Sequence, residues 1–215
     1  MKKKVLLTGF DPFGGESINP SWETIKQLHG ETINEIFIIA EQVPTVFHQS
    51  AIVLEKAIQK HCPDVVICVG QAGGRPHITP ERIAINIDDA RIPDNEGQKP
   101  VDEQISDHAP NAYWSSLPIK RIVKQMREHG IPASISHSAG TFVCNHLFYQ
   151  LMHFIDRSQS MIKGGFIHIP FLPEQTTDKK EPSLSLDMMI NGLRIAAVTA
   201  ASHDIDIRES GGSLC

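Results

Sequence analysis

Two residues have types and positions that suit covalent chemistry, Cys144 and His168. Cys144 follows a small-residue turn, Ser138-Ala139-Gly140, after an expected strand ending near Ser136, so it falls in the first turn of the next helix. There the unpaired N–H groups and the helix dipole favour thiolate over thiol, and the same N–H groups can hold a developing oxyanion. Cys68 falls in a strand interior and Cys62 at a helix end, where a cysteine is ordinarily a small apolar residue. His168 sits at the end of an apolar strand, Phe166-Ile167-His168-Ile169-Pro170, on the sheet edge where the Cys144 helix begins. A histidine so placed can act as base toward the thiol and as acid toward a leaving amine. A third group normally orients the imidazole. Glu81, Asp88, Asp89, Asp94 and Asp102 all lie in one long excursion, and their spacing does not select among them. His146 and His153, seven apart on the Cys144 helix, are accounted for by packing or solvent exposure.

Other chemistries fit less well. Cys144-x-His146 and His61-Cys62 offer soft metal ligands, but no second pair stands at the spacing of a structural zinc site. Thr8-Gly9-Phe10-Asp11-Pro12-Phe13-Gly14-Gly15 suggests a phosphate- or nucleoside-binding loop as the alternative function. It lacks both the Gly-Lys-Ser/Thr ending of a P-loop and the Gly-x-Gly-x-x-Gly spacing, and its phenylalanines suit an apolar pocket better.

The elements that must position these groups read as α/β, with short apolar runs alternating with stretches of helical period. Val5 to Thr8 reads as the first buried strand. A helix follows, opened by Asn19 as N-cap with Pro20 at its first position. Ile36 to Ala40 is the second strand. From Thr45 onward, Phe47, Ala51, Leu54 and Ile58 form an apolar stripe on a helix that ends at Cys62-Pro63. Asp64 to Gly70 is the third strand. Gln71 to Ala112 is a Gly-, Pro- and Asp-rich excursion containing one alternating segment, Ile83 to Ile87, expected as an antiparallel ribbon. A helix on Ile119, Ile122, Val123 and Met126, closed by Gly130, leads to a strand from Ile131 to Ser136. A helix from about Phe142 to Arg157, a strand from Gly165 to Ile169 and a helix burying Leu186, Met189, Ile190, Leu193 and Ala197 complete the chain. The expected architecture is a single-domain three-layer α/β/α sandwich over residues 1–215, with a mostly parallel twisted sheet and a long β-ribbon excursion. In such sheets ligands bind beyond the carboxyl ends of the strands.

Composition narrows the partners. The chain has 215 residues, 40% hydrophobic and 21% charged, with 20 Lys plus Arg against 25 Asp plus Glu and a net charge of −5. That length supports one core, and the balance removes the electrostatic attraction that dominates nucleic-acid affinity and weakens binding to anionic membranes. Four cysteines without a Cys-x-x-Cys pair imply reduced thiols. Neither a signal-peptide h-region nor the ~20-residue apolar run of a membrane span is seen, so a cytoplasmic location is expected. Whether Cys215 stays a free thiol or pairs between subunits is left open.

Three motifs and one strand resemble a known family. They are Leu7-Thr8-Gly9-Phe10-Asp11-Pro12-Phe13-Gly14-Gly15 with Asn19-Pro20-Ser21, Gly70-Gln71-Ala72-Gly73 through Glu81-Arg82-Ile83-Ala84-Ile85-Asn86, and Ser136-His137-Ser138-Ala139-Gly140-Thr141-Phe142-Val143-Cys144-Asn145, together with Ile167-His168-Ile169-Pro170. On these the chain is similar to pyroglutamyl-peptidase I, also called pyrrolidone carboxyl peptidase, with the likeness thinning after about Pro173. The resemblance implies Cys144 as nucleophile, His168 as acid/base and Glu81 as the group orienting the imidazole. It implies substrate recognition by Phe10, Phe13, Asn19, Thr45, Gln71, Phe142 and Val143, with Arg91 assisting the oxyanion. It further implies removal of N-terminal pyroglutamate from peptides, no metal or cofactor, a cytoplasmic location and a homotetramer.

The physics of that substrate agrees. Pyroglutamate is a flat, uncharged lactam needing apolar walls plus one acceptor and one donor. Phe10, Phe13, Phe142 and Val143 can supply the walls, and Asn19 and the Gln71 segment the polar pair. A free amine would be costly to desolvate there, and proline would leave a site donor unpaired.

Overall fold

A computed structural model describes residues 2–212, so Cys215 lies outside the described residues. Five helices and eight strands are seen among them. The strands are β1 (Lys3–Phe10), β2 (Thr32–Ile33), β3 (Ile36–Val43), β4 (Val65–Gln71), β5 (Thr79–Pro80), β6 (Ile83–Ile85), β7 (Ala112–Trp114) and β8 (Lys163–Ile169). The helices are α1 (Pro20–Ile25), α2 (Gln49–His61), α3 (Ile119–Glu128), α4 (Val143–Arg157) and α5 (Leu186–Ser202).

The main sheet runs β2-β3-β1-β4-β8-β5. Its four central strands are parallel, and the two-residue strands β2 and β5 run antiparallel at its edges. Because side chains alternate across a strand, β4 sends Val65, Ile67 and Val69 to one apolar cluster with α1, α3 and α5, and Val66 and Cys68 to another with α2 and α4. That is the expected three-layer α/β/α sandwich, with near-continuous Val and Ile strands because both faces are covered.

Local chemistry sets the boundaries. Asn19 caps α1 by accepting from Ser21 N–H at 3.1 Å, with Pro20 in the first turn. The excursion contains the antiparallel ribbon, with Ile83 opposite Trp114 and Ile85 opposite Ala112. Its position is held by Asn145, fully buried on α4, which accepts from Ile85 N–H at 3.0 Å and donates to the Ile85 and Ile87 carbonyls at 2.9 and 3.1 Å.

Two expectations are corrected. Ile131 to Ser136 is no regular strand but an extended edge held by isolated parallel bridges, Ile78 to Ala133 and Glu81 to Ser136. Ser134 and Ser136 donate to Ile78 and Pro80 carbonyls at 3.1 and 3.0 Å, yet Pro80 has no N–H to return, so the ladder is interrupted at its middle. The second helix begins at Gln49, leaving Phe47 in the turn before it. His48 at φ 61° breaks the helical path there.

Candidate active site

β4 and β8 end side by side, in register at Gly70 and His168. Both positions lie on the sheet face covered by α4. Glu81 reaches the same place from the edge: Thr79 and Pro80 pair with His168 and Ile167, and Glu81 N–H continues the pairing to the Phe166 carbonyl at 2.9 Å. The fully buried Glu81 places Oε1 2.7 Å from His168 Nδ1. Of the five carboxylates the spacing left open, Glu81 is the one hydrogen-bonded to His168.

Cys144 comes from the layer above, at the second position of α4. The first helical bond runs from His146 N–H to the Phe142 carbonyl at 3.1 Å. The N–H groups of Val143, Cys144 and Asn145 therefore have no acceptor within the helix. The sulfur is seated on bare backbone, since a Cβ built on Gly70 would stand 2.9 Å from Cys144 Sγ and 2.8 Å from Phe166 Cζ. Any side chain at residue 70 would have to displace the Cys144 sulfur or the Phe166 ring. Its signal in the sequence was a glycine at the end of an otherwise Val- and Ile-rich strand. Thiol and imidazole are both brought to Gly70, the one packed against it and the other its partner across the strands, and no hydrogen bond joins them among the described residues; such bonds often tighten only when substrate is bound.

Arg75 is a site residue that sequence reasoning missed. Its Nη1 donates to Glu81 Oε1 at 2.6 Å and to Thr79 Oγ1 at 2.9 Å, and Nη2 donates to the Ser138 carbonyl at 3.0 Å. One guanidinium thereby ties the carboxylate to the turn that leads into α4. Burial works to raise the Glu81 carboxyl, but the hydrogen bond and charge of His168, aided by Ser136 and then by Arg75, outweigh it and hold the group below the usual carboxylate range.

The thiol departs from expectation. Cys144 keeps partial exposure, but its sulfur is seated against the backbone of Gly70. Burial, with the negative charge of Glu81 behind it, pushes the thiol up to about 12, against the pull of Arg75. A helix N-terminus favours thiolate, yet in this burial Cys144 rests as a thiol.

Around this centre the expected pocket residues divide. Phe13 and Phe142 are half-buried with centroids 6.2 Å apart, and Phe47 meets Phe142 edge-on at 5.3 Å. Phe10 is buried 6.4 Å from Phe166, and Val143 turns its side chain into the core. Asn19 Nδ2 and Thr45 Oγ1 donate to the same Asp11 carbonyl, at 2.9 and 3.1 Å, so both side chains are engaged in anchoring the loop that carries Phe13. Gln71 Oε1 accepts from Gln175 Nε2 at 3.0 Å. Arg91 is exposed, without a hydrogen bond or ion pair to the three central residues among those described. Its loop nevertheless runs beside the start of α4, where Asp89 N–H donates to the Thr141 carbonyl at 2.9 Å.

The Gly-rich loop is a poor phosphate cradle. It carries one carboxylate, Asp11, accepting from Thr45 N–H at 2.6 Å, and is followed directly by another, Glu16, paired with Lys179 at 2.6 Å, and both oppose an anion. Among the described residues no group of three or more His, Cys, Asp and Glu side chains is placed to hold a metal ion, and no helix is long and apolar enough to cross a membrane.

Comparison with known proteins agrees with this geometry. A family model described as pyroglutamyl peptidase matches residues 3–203. Pyrrolidone-carboxylate peptidases of Bacillus licheniformis and Bacillus subtilis are 72% and 62% identical over 214 residues, covering 100% of both chains in each case. A crystal structure of pyroglutamyl peptidase I from Bacillus amyloliquefaciens superposes with a TM-score of 0.97 at 62% identity, covering 98% of this chain and 100% of that one. A mutant pyrrolidone carboxyl peptidase from Pyrococcus furiosus gives 0.90 at 44% identity, covering 93% and 98%. A thiol on a helix N-terminus, beside a carboxylate-held histidine at the sheet edge, is what this chain brings to that match: it belongs to the pyroglutamyl peptidase family.

Proposed function

We propose that this chain is a cysteine peptidase that removes an N-terminal pyroglutamyl residue from peptides through a thioester. The observation that carries the reading is the seating of Cys144 Sγ on Gly70, next to an imidazole whose Nδ1 is engaged by Glu81. With Nδ1–H donated to the carboxylate, Nε2 is left as the basic nitrogen.

Because the thiol is protonated at rest, His168 Nε2 takes its proton as sulfur attacks the pyroglutamyl carbonyl carbon. The oxyanion forms at the open N–H groups at the start of α4. Its collapse breaks the C–N bond, and the imidazolium returns the proton to the departing amine. Water then attacks the thioester, His168 accepts its proton, and sulfur leaves to regain it as the thiol, freeing pyroglutamate. Glu81 stabilises the imidazolium formed in each half-reaction.

Phe13 and Phe142 form the apolar walls, supported by Phe10; Val143 contributes backbone N–H, Gln71 a polar group, and Asn19 and Thr45 the anchored loop. Arg91 assists the oxyanion, a role supported by the contact of its loop with Thr141 and by its free guanidinium among the described residues. The family resemblance supports a homotetramer and a cytoplasmic location, and exposed Val101, Trp114 and Ile205 provide apolar surface for contacts between subunits.

Turnover of a pyroglutamyl amide beside prolyl and glutaminyl amides, with and without a thiol-alkylating reagent, tests this function. Hydrolysis confined to the pyroglutamyl amide and abolished by alkylation is expected. Equal rates on all three substrates overturn the pocket, and a Cys144→Ser variant at wild-type rate overturns the nucleophile.

A further inference from the structure

A second histidine–carboxylate couple, which the reaction does not use, lies behind the pocket. His146 is fully buried on α4, with Nδ1 2.7 Å from Asp88 Oδ2. Its Nε2 accepts from His48 N–H at 3.1 Å. A ring nitrogen that accepts carries no proton, so the proton sits on Nδ1 and is donated to Asp88. Two bonds therefore fix one tautomer.

His48 needs that acceptor. It lies in the left-handed half of backbone space, at φ 61° and ψ −46°, and Gln49 N–H donates to the Phe47 carbonyl across it at 2.6 Å. This is the rare, strained form of γ-turn, which persists only where its surroundings over-determine it. The His48 ring also stands edge-on to His146 at 4.8 Å. The turn delivers Phe47, whose ring is buried edge-on to His146 at 5.6 Å and edge-on to Phe142 at 5.3 Å. A continuous path thus leads from Asp88 through His146, the His48 turn and Phe47 to Phe142.

We infer that His146, held by Asp88, is a positioning residue: it pins the strained His48 turn and thereby sets the Phe47–Phe142 wall that grips the pyroglutamyl ring. The inference rests on Phe142 lining that pocket. It assigns His146 to substrate binding and discrimination, and leaves the chemical step to Cys144 and His168.

Steady-state kinetics on pyroglutamyl and prolyl amides test it in His146→Leu, His146→Gln and Phe142→Ala variants, with iodoacetamide alkylation of Cys144 as a check on the nucleophile. In His146→Leu, KM for the pyroglutamyl amide should rise about tenfold while kcat changes less than about threefold, the pattern of lost binding. Preference over the prolyl amide should narrow, and the alkylation rate should stay within about twofold. Glutamine can accept from His48 N–H and donate to Asp88, so His146→Gln should restore most of KM. A folded leucine variant with wild-type KM, a loss confined to kcat, or a glutamine variant no better than leucine overturns the proposal. If the leucine variant does not fold, Asp88→Asn replaces it: a KM rise of about threefold is expected from the weakened bond, and a wild-type KM overturns the proposal. Phe142→Ala separates the two readings. An unchanged KM there removes the pocket assignment itself, whereas a raised KM beside a normal His146→Leu removes only the role of His146.

Discussion

Two histidines in this molecule make the same bond in different surroundings. His168 and His146 each place Nδ1 2.7 Å from a buried carboxylate, Glu81 and Asp88. Both rings sit on the side of the sheet covered by α2 and α4. What differs is the far nitrogen. His146 Nε2 is occupied by His48 N–H, whereas His168 Nε2 has no hydrogen-bond partner among the described residues and lies in the neighbourhood of Cys144. The carboxylates differ too: Glu81 is shared with Arg75, while Asp88 Oδ2 serves His146 alone among the described side chains. A histidine–carboxylate pair is thus a generic orienting device, and an unoccupied nitrogen beside a nucleophile makes it a candidate acid and base.

The strongest test of that contrast removes each imidazole in turn. His168→Gln should lower kcat by about 10³-fold or more, as losing a base from a nucleophile–base unit does, whereas His146→Gln should leave kcat within about threefold. Equal kcat losses would erase the distinction. Next comes the seat of the thiol. Gly70→Ala should fold and lose about 10²-fold in kcat, because its methyl group displaces Sγ and Phe166 from the reacting geometry. Full activity in that variant would mean that sulfur does not need the bare backbone.

A smaller effect follows from the protonated thiol. Alkylation of Cys144 should keep accelerating between pH 9 and about 12, instead of levelling off below 9, since burial and Glu81 raise the folded-state value from 9.0 to about 12. The linked stability is fully present below pH 9 and is lost as pH climbs toward 12, so the melting temperature of the wild type relative to Cys144→Ala should fall across that range. A plateau in alkylation rate near pH 7 would show that the helix terminus outweighs burial.

The smallest effect concerns Arg75. Glu81 is held below 4.5, so its contribution to stability is present above pH 4.5 and is lost as pH falls through its folded-state value. Arg75→Gln removes one of the influences lowering that value, so acid destabilisation should begin at a slightly higher pH. Coincident melting curves against pH for the two proteins would show that Glu81 stays ionised without Arg75.

Much of this was legible in the chain. Continuous apolar runs such as Val65 to Val69 announce buried parallel strands, and Asn19-Pro20 announces a helix start, because both signals act within a few residues of themselves. The Ala-Gly turn before Phe142 likewise announced a helix terminus at Cys144. Failures came where a distant partner decides. Ile131 to Ser136 has strand-like composition, but its ladder depends on Pro80, fifty residues earlier, which lacks the donor. Phe47 continued the apolar stripe of α2, yet the acceptor that stabilises the bent backbone at His48 belongs to His146 on another helix. Arg75 gave no local signal, since Glu81 and Ser138 become its neighbours only when β5 folds back onto β8.

By itself, the sequence determined the layered α/β plan, the cysteine at a helix start and the histidine at a strand end, since periodicity and capping are written in adjacent residues. Motif resemblance singled out Glu81. Only the tertiary structure decided that Glu81 reaches His168, that Arg75 shares it, that Gly70 makes room for the sulfur and that the thiol rests protonated. Those are matters of distance and burial between segments far apart in the chain, and such contacts and local dielectric come into being only on folding.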